Sequence, residues 1–481
     1  MTEPPPLGDL PTAELRAHGG KLLAWVAEYL DHPERYAVLS RSAPGDVRRS
    51  LPPAPPASGE SLERILGDFE RKILPGITHW NHPGFFAYFS ISSSIPGILA
   101  ELLIASLDVN AMLWKTSPAA TELEELTMDW LRQLLGLGDG WFGTITDTAS
   151  ISTMLALAAA REAKPELAIR ARGMAGRPDL PVLRVYCSEQ AHSSVDKGAL
   201  TIGIGMENVV KIPCDGEFRL RPEALVSAIA ADRDSGFLPL ACVATVGTTS
   251  TTSIDPVADI AEVCGIEEVW LHVDGAYGGV AAVSPAYRHV LRGVERADSL
   301  VVNPHKWLFT PIDCSAFYTR HPDVLKRAFS LVPEYLVTGE QDEVTNFMDY
   351  GVQLGHRFRA LKLWMVIRAF GAEGLAARIE RHCELARLFE SWVLHEPGWE
   401  LRAPVPFSLV CFRHAPEGTS EPERDRVNAE ILQRVNASGE VYLSHTRLDG
   451  AYVLRLAIGN IRTEEHHVAR AWELLREAAR E

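Results

Sequence analysis

The chain has 481 residues, of which 46% are apolar, enough for a large buried core and more than one domain. Its formal net charge of -16 leaves no basic footprint for a phosphate backbone, so nucleic acid is not an expected partner. The 7 cysteines are odd in number, scattered and without a C-x-x-C pair, which argues against a disulfide frame or a metal site and for reduced thiols in a cytoplasmic protein. No basic-then-apolar leader opens the chain and no run of about 18 uncharged apolar residues occurs, so no membrane segment is expected.

In chain order, residues 12–31 carry apolar side chains at helical spacing (Leu15, Leu22, Leu23, Val26, Leu30), and a second helix is predicted over 61–74. LPPAPPASG between them reads as an extended linker. This first segment, 1–80, is too thin to bury its own apolar faces and must lie on something else, such as a partner subunit. From 81 to 356, short β-branched runs alternate with alanine-rich helical runs, the pattern of an α/β domain with a mostly parallel sheet. Within it, the run GTITDTAS (143–150) leads into a helix expected over 152–163. Small hydroxyl residues and free N–H groups at a helix start make an anion site, although they also serve as ordinary caps, and Asp147 would repel an anion if it turned inward. A strand at 182–187 leads to His192, which could stack on an aromatic ring or simply lie at the surface. The last segment, 357–481, begins with a long helical stretch. It then alternates strands (409–412, 452–458) with helices (424–435, 464–479), as in a smaller α+β domain.

Three further strands, 240–246, 269–273 and 299–302, each end in polar residues: Thr249, Asp274 and Lys306 follow them. Right-handed crossovers would bring the three ends to one edge of the sheet, where α/β proteins bind ligands. Pro304 stops the last strand, so Lys306 is expected on a loop, placed to form a Schiff base with a carbonyl, which is how pyridoxal phosphate is held. Asp274, after the apolar run Trp270 to Val273, should be largely buried, and a protonated pyridine nitrogen would offset the cost of burying it. G-x-S-x-G, Walker and H-E-x-x-H patterns are missing.

Seven stretches then carry a resemblance: ITHWNHPGFFAYF (77–89), SPAATELEELTMDWL (117–131), TASIST (148–153), AHSSVDKGA (191–199), WLHVDGAYGG (270–279), NPHKWL (303–308) and LGHRFRALKLW (354–364). On these the chain resembles, nearly end to end, the aromatic-L-amino-acid decarboxylases, group II pyridoxal-phosphate decarboxylases of the aspartate-aminotransferase fold (fold type I). The resemblance implies Lys306 as the Schiff-base lysine, Asp274 as the pyridine-nitrogen partner and His192 as the ring-stacking histidine. By the same likeness Ala149, Ser150 and His305 hold the phosphate, Thr249 lies near the ring hydroxyl, and Ala276 and Asn303 lie beside the cofactor. Leu354 and Gly355 would close the site from the other subunit of a homodimer.

Tyr335 resembles the family's catalytic lid tyrosine, at the head of a polar segment (337–351) that reads as a lid. Trp80, Phe89, Ile91, Asn110 and Met112 are expected to line the side-chain pocket. Departures from the family fall at Ser90, Ile91, Asn110 and Met112, which bear on the substrate, and at Asp147 in the phosphate loop. The activity so implied is decarboxylation of an L-amino acid, most of all an aromatic one, to its amine. An aldehyde synthase is the alternative, although in such relatives Tyr335 or His192 tends to be replaced. Lesser alternatives are an aminotransferase, with an arginine such as Arg455 on the α-carboxylate, and a cofactor-free scaffold on the same fold.

Overall fold

Near-continuous apolar runs such as LPLACVAT and SLVV suit strands buried on both faces. In the computed structural model, which describes residues 8–331, 339 and 343–480, these runs lie inside one sheet. Its strands are β1 (Phe142–Thr146), β2 (Leu183–Ser188), β3 (Val209–Ile212), β4 (Leu238–Thr245), β5 (Trp270–Asp274), β6 (Ser299–Val302) and β7 (Ser315–Thr319). The order is β1-β7-β6-β5-β4-β2-β3. Strands β2 to β6 pair in parallel, and β7 runs antiparallel between β6 and β1. Alternate residues of β4 divide between two core clusters: Cys242 and Ala244 join one, Ala241 and Val243 the other. The second cluster is completed by Leu155, Ala156 and Ala159 of the helix Ala149–Glu162, so that helix covers one face of the sheet.

A second sheet, order β10-β11-β9-β8, is formed by β8 (Trp399–Leu401), β9 (Leu409–His414), β10 (Ser444–Leu448) and β11 (Ala451–Ala457). Its central strands β9 and β11 are apolar on both faces. Leu409, Cys411 and Val453 join the main core, while Val410, Phe412 and Leu454 pack with Phe389, Ile431, Val468 and Trp472 of the last three long helices. The first of these, Ala360–His395, breaks at Gly371, whose φ of 64° and ψ of 173° interrupt the helical run.

The strands expected from sequence lie within two residues of those observed. The helix expected at 152–163 begins three residues earlier, at Ala149, because Thr148 takes the N-cap position. The opening helix is Thr12–Asp31, and none of its residues is buried. The helix expected over 61–74 is α-helical only over Leu62–Asp68, then widens and tightens through Phe69–Ile73 and Leu74–Gly76. One correction concerns the lysine. Lys306 lies not on a loop but in a single helical turn, Pro304–Trp307. Proline ends a strand, but its fixed φ also suits the first position of a helix.

Candidate active site

The register of the parallel strands places Thr245 beside Asp274, and Asp274 beside Val301. Side chains opposite one another share a face of the sheet, here the face covered by the helix Ala149–Glu162. Where the strands end, a cavity of about 210 Å³ opens. Ten residues expected from sequence line it: Phe89, Ala149, Ser150, His192, Thr249, Asp274, Ala276, Asn303, His305 and Lys306. Thr148, of the hydroxyl-rich run 143–150, also lines it, and so do Thr245, Gly247 and Tyr277, which were not assigned to the site.

Each polar group is held in a stated direction. Asp274 is 5% exposed, and its Oδ1 accepts the Ala276 N–H at 3.0 Å. His305 Nδ1 accepts the Cys314 N–H at 3.0 Å, which leaves the ring proton on Nε2. Burial, reinforced by Lys306, pushes the His305 pKa down to about 3, so it is a neutral donor at pH 7. His192 Nδ1 likewise accepts the Ser194 N–H at 3.1 Å. The residue as a whole is exposed, yet partial burial of its ring in the cavity lowers its pKa against the pull of Asp274, with Lys306 adding to the lowering. Ser315 Oγ donates to Asn303 Oδ1 at 2.7 Å, which leaves the Asn303 amide nitrogen for other contacts. Burial lowers the pKa of Lys306, opposed by Asp274, and this favours the nucleophilic neutral amine.

Beneath the lysine lies an aromatic stack. Lys306 Nζ is 5.5 Å from the Phe89 ring centroid; Phe89 stacks on Tyr277 at 3.8 Å, and Tyr277 on Trp307 at 4.7 Å. Trp307 Nε1 donates to His382 Nδ1 at 2.9 Å, so the residue after the lysine is anchored in the core. Such stacking fixes the floor under Lys306 by shape and not by charge.

Arg455 is nearby but does not serve as a carboxylate clamp. Its Nε donates to the Ser250 carbonyl at 2.9 Å, Nη2 to the Thr249 carbonyl at 2.7 Å and Nη1 to Ser444 Oγ at 2.8 Å. Each of the three nitrogens donates one bond that ties the Thr249 loop to β10 and β11, so the guanidinium is already fixed by the chain itself. Asp147 does not line the cavity; its Oδ1 accepts the Thr148 N–H at 2.7 Å.

Trp80, Ile91, Asn110, Met112 and Gly355 do not line the cavity within one chain. Trp80 stacks on Phe85 and Tyr88. Asn110 and Gly355 come together elsewhere on the surface: Asn110 Oδ1 accepts the His356 N–H at 3.0 Å, and His356 Nε2 meets the buried Glu124 at 2.7 Å. Met112 packs on Leu113 and Met348 beside them. Tyr335 lies outside the described residues.

The pyridoxal-dependent decarboxylase conserved domain matches residues 44–415. The chain belongs to the pyridoxal-dependent decarboxylase family. It is 39% identical to a tryptophan decarboxylase 2 of Oryza sativa subsp. japonica, over 97% of this chain and 94% of that protein. It is 40% identical to a phenylacetaldehyde synthase of Arabidopsis thaliana, over 98% of this chain and 97% of that one. Its fold is similar to a crystal structure of Oryza sativa TDC with PLP and tryptamine, with a TM-score of 0.94, 36% identity and 99% of both chains covered. A Catharanthus roseus tryptophan decarboxylase in complex with L-tryptophan matches with a TM-score of 0.92 and 37% identity, over 98% of this chain and 99% of that one.

The decarboxylase's donor set fits pyridoxal phosphate. The first N–H groups of a helix have no partner within it, and Thr148 adds no side-chain cap, so the first turn at Ala149 and Ser150 can take a phosphate together with His305 Nε2–H. Asp274 would face the ring nitrogen, Lys306 the aldehyde, and His192 and Ala276 the ring. Thr245 escaped the sequence reading because it belongs to no motif; its only signal is a hydroxyl at the end of an otherwise apolar strand.

Proposed function

We propose that this decarboxylase acts on an L-aromatic amino acid, releasing carbon dioxide and the corresponding amine, and that it works as a homodimer. The observation that carries the reading is the convergence of Lys306, Asp274, His305 and the N-terminal turn of Ala149–Glu162 on one cavity. Pyridoxal phosphate, when bound, supplies an electron sink for the bond that breaks. The chain's residues do the rest. Lys306, whose pKa burial lowers, would hold the cofactor's aldehyde carbon until a substrate amino group takes its place. Asp274 anchors the ring nitrogen, and His192 covers the ring face. From its place in the sequence, Tyr335 is the proposed acid that returns a proton to the substrate carbon.

At about 210 Å³ the cavity within one chain is smaller than the roughly 300 Å³ at which ligand pockets begin, so the rest of an aromatic side chain needs other walls. A second subunit would supply them through Asn110, Met112, Leu354 and Gly355. The helix Ile95–Leu107 exposes Ile95, Leu99, Leu102, Leu103 and Leu107, a stripe that a monomer would leave in water. On this reading residues 1–80 clasp the partner, 81–356 hold the cofactor and 357–481 form the smaller unit. Among the described residues no helix is long and apolar enough to cross a membrane.

Lys306→Ala tests the assignment. Borohydride should fix cofactor to the wild-type chain and not to the variant, and turnover should vanish while the fold remains; a variant at the wild-type rate refutes it. The 40% identity to a phenylacetaldehyde synthase keeps oxidative decarboxylation as a second reading. Tyr335→Phe should raise the aldehyde-to-amine ratio in air, and an unchanged ratio at an undiminished rate would remove Tyr335 as the proton donor.

A further inference from the structure

Thr245 is 4% exposed, lines the cavity, and its Oγ1 finds no hydrogen-bond partner among the described residues. A buried hydroxyl without a partner costs free energy, so an unpaired one at a binding cavity calls for an explanation. Its backbone, by contrast, is doubly fixed. The Thr245 N–H donates to Asp255 Oδ2 at 2.7 Å, and the Asp255 N–H donates to the Thr245 carbonyl at 2.9 Å. Asp255 also accepts the Leu220 N–H at 2.7 Å, so a fully buried carboxylate pins the end of β4 from behind.

The register sets what the free hydroxyl can reach. Thr245 and Asp274 are directly paired across β4 and β5, on the same face. Neighbouring strands lie about 4.8 Å apart, close enough for Oγ1 to reach a carboxylate oxygen after one rotamer step about χ1. Asp274 Oδ1 already takes the Ala276 N–H, while a carboxylate offers about four acceptor sites.

We propose that Thr245 is a further cofactor-positioning residue: its hydroxyl donates to the Asp274 carboxylate when the cofactor is in place, and so fixes the direction in which that carboxylate meets the ring nitrogen. The proposal rests on the reading of Asp274 given above. Two fixed donors, the Ala276 N–H on one side and the Thr245 hydroxyl on the other, leave the carboxylate one orientation. Threonine suits the place because its β-branched body fills a strand position while its hydroxyl serves the cavity.

The test is the dissociation constant of pyridoxal phosphate, read from its visible absorbance, in wild type, Thr245→Val, Thr245→Ser, Asp274→Asn and the Thr245→Val/Asp274→Asn double variant. Valine keeps the shape and removes the donor. Thr245→Val should weaken binding about tenfold, the scale of one hydrogen bond to a charged group. Serine should restore it to within about twofold, and valine should cost less than about twofold where Asp274 is already asparagine. Apo Thr245→Val should melt no lower than apo wild type, because the hydroxyl it loses is unpaired there. Unchanged affinity in Thr245→Val, an equal loss in the Ser variant, an equal loss in both Asp274 backgrounds, or an apo form that melts lower would each overturn the proposal. If wild type itself acquires no visible band with pyridoxal phosphate, it is the cofactor reading that fails.

Discussion

A carboxylate at the end of an apolar strand costs several kcal/mol to bury unless a cation or strong donors meet it, and Asp274 is buried at the mouth of the one face where Lys306 also arrives. Asp274→Asn keeps the size and the Ala276 contact while removing the charge. Cofactor should bind more weakly and turnover should fall by several orders of magnitude, about 4 kcal/mol or more of lost transition-state stabilisation. Steady-state rates at saturating cofactor check this, and full activity would reduce Asp274 to a turn cap. At this scale the sequence was legible where a chemically costly residue follows a strand, as with Asp274 and Lys306, while His305 entered only through the family resemblance. It was not legible where the cost appears only in three dimensions. The Phe89, Tyr277 and Trp307 stack joins residues far apart in the chain, and the work of Arg455 on the Thr249 and Ser250 carbonyls depends on two sheets meeting.

Among elements, the helix Ile95–Leu107 is the one whose sequence and surroundings disagree. Only Gly97, Ala100 and Ile104 are buried, while Leu102 is 51% exposed and Leu103 47%. At about 25 cal/mol per Å² of apolar area, covering such a stripe is a strong drive to associate. If the proposed dimer forms through this helix, Leu99→Glu with Leu103→Glu should give monomers in sedimentation, and activity should fall with it as the proposed reach of Asn110, Met112 and Gly355 into a neighbour's cavity is lost. A dimer that survives both charges would place the interface elsewhere. In the intact dimer, Asn110→Ile should shift preference toward purely apolar side chains by up to ~100-fold; an unchanged ranking of substrates excludes Asn110 from the pocket. Parallel strands were the most readable elements, because burial on both faces leaves unbroken apolar runs. The Lys306 turn was misread as a loop, since proline signals a strand's end and a helix's start alike.

Across the described residues, burial lowers the pKa of all five buried histidines, four of them far enough to dominate acid stability. Burial lowers His82, His272 and His382 to about 4 and His305 to about 3, from an ordinary value of 6.5. Between these values and 6.5 the unfolded chain binds protons that the folded chain refuses, so stability rises with pH through that window and is lost as pH falls through it. Asp255 acts in the opposite sense. Burial raises its pKa from 3.8 to about 6, a penalty present above pH 6 and relieved as pH falls, but one carboxylate does not offset four histidines. Denaturant midpoints at pH 7 and pH 5 should differ by a loss on the order of 1–2 kcal/mol per histidine; equal midpoints would mean that these rings take protons in place. The central claim, that this fold and this cavity remove carbon dioxide from an aromatic amino acid, is tested most directly by product analysis. Purified protein loaded with pyridoxal phosphate is incubated in air with L-tryptophan, L-tyrosine, L-phenylalanine and DOPA, and carbon dioxide, amine, aldehyde and ammonia are scored together. Carbon dioxide and amine should appear in equal amounts from at least one of the four; ammonia or a 2-oxo acid without carbon dioxide, or no product from any of them, would rule the decarboxylase reading out.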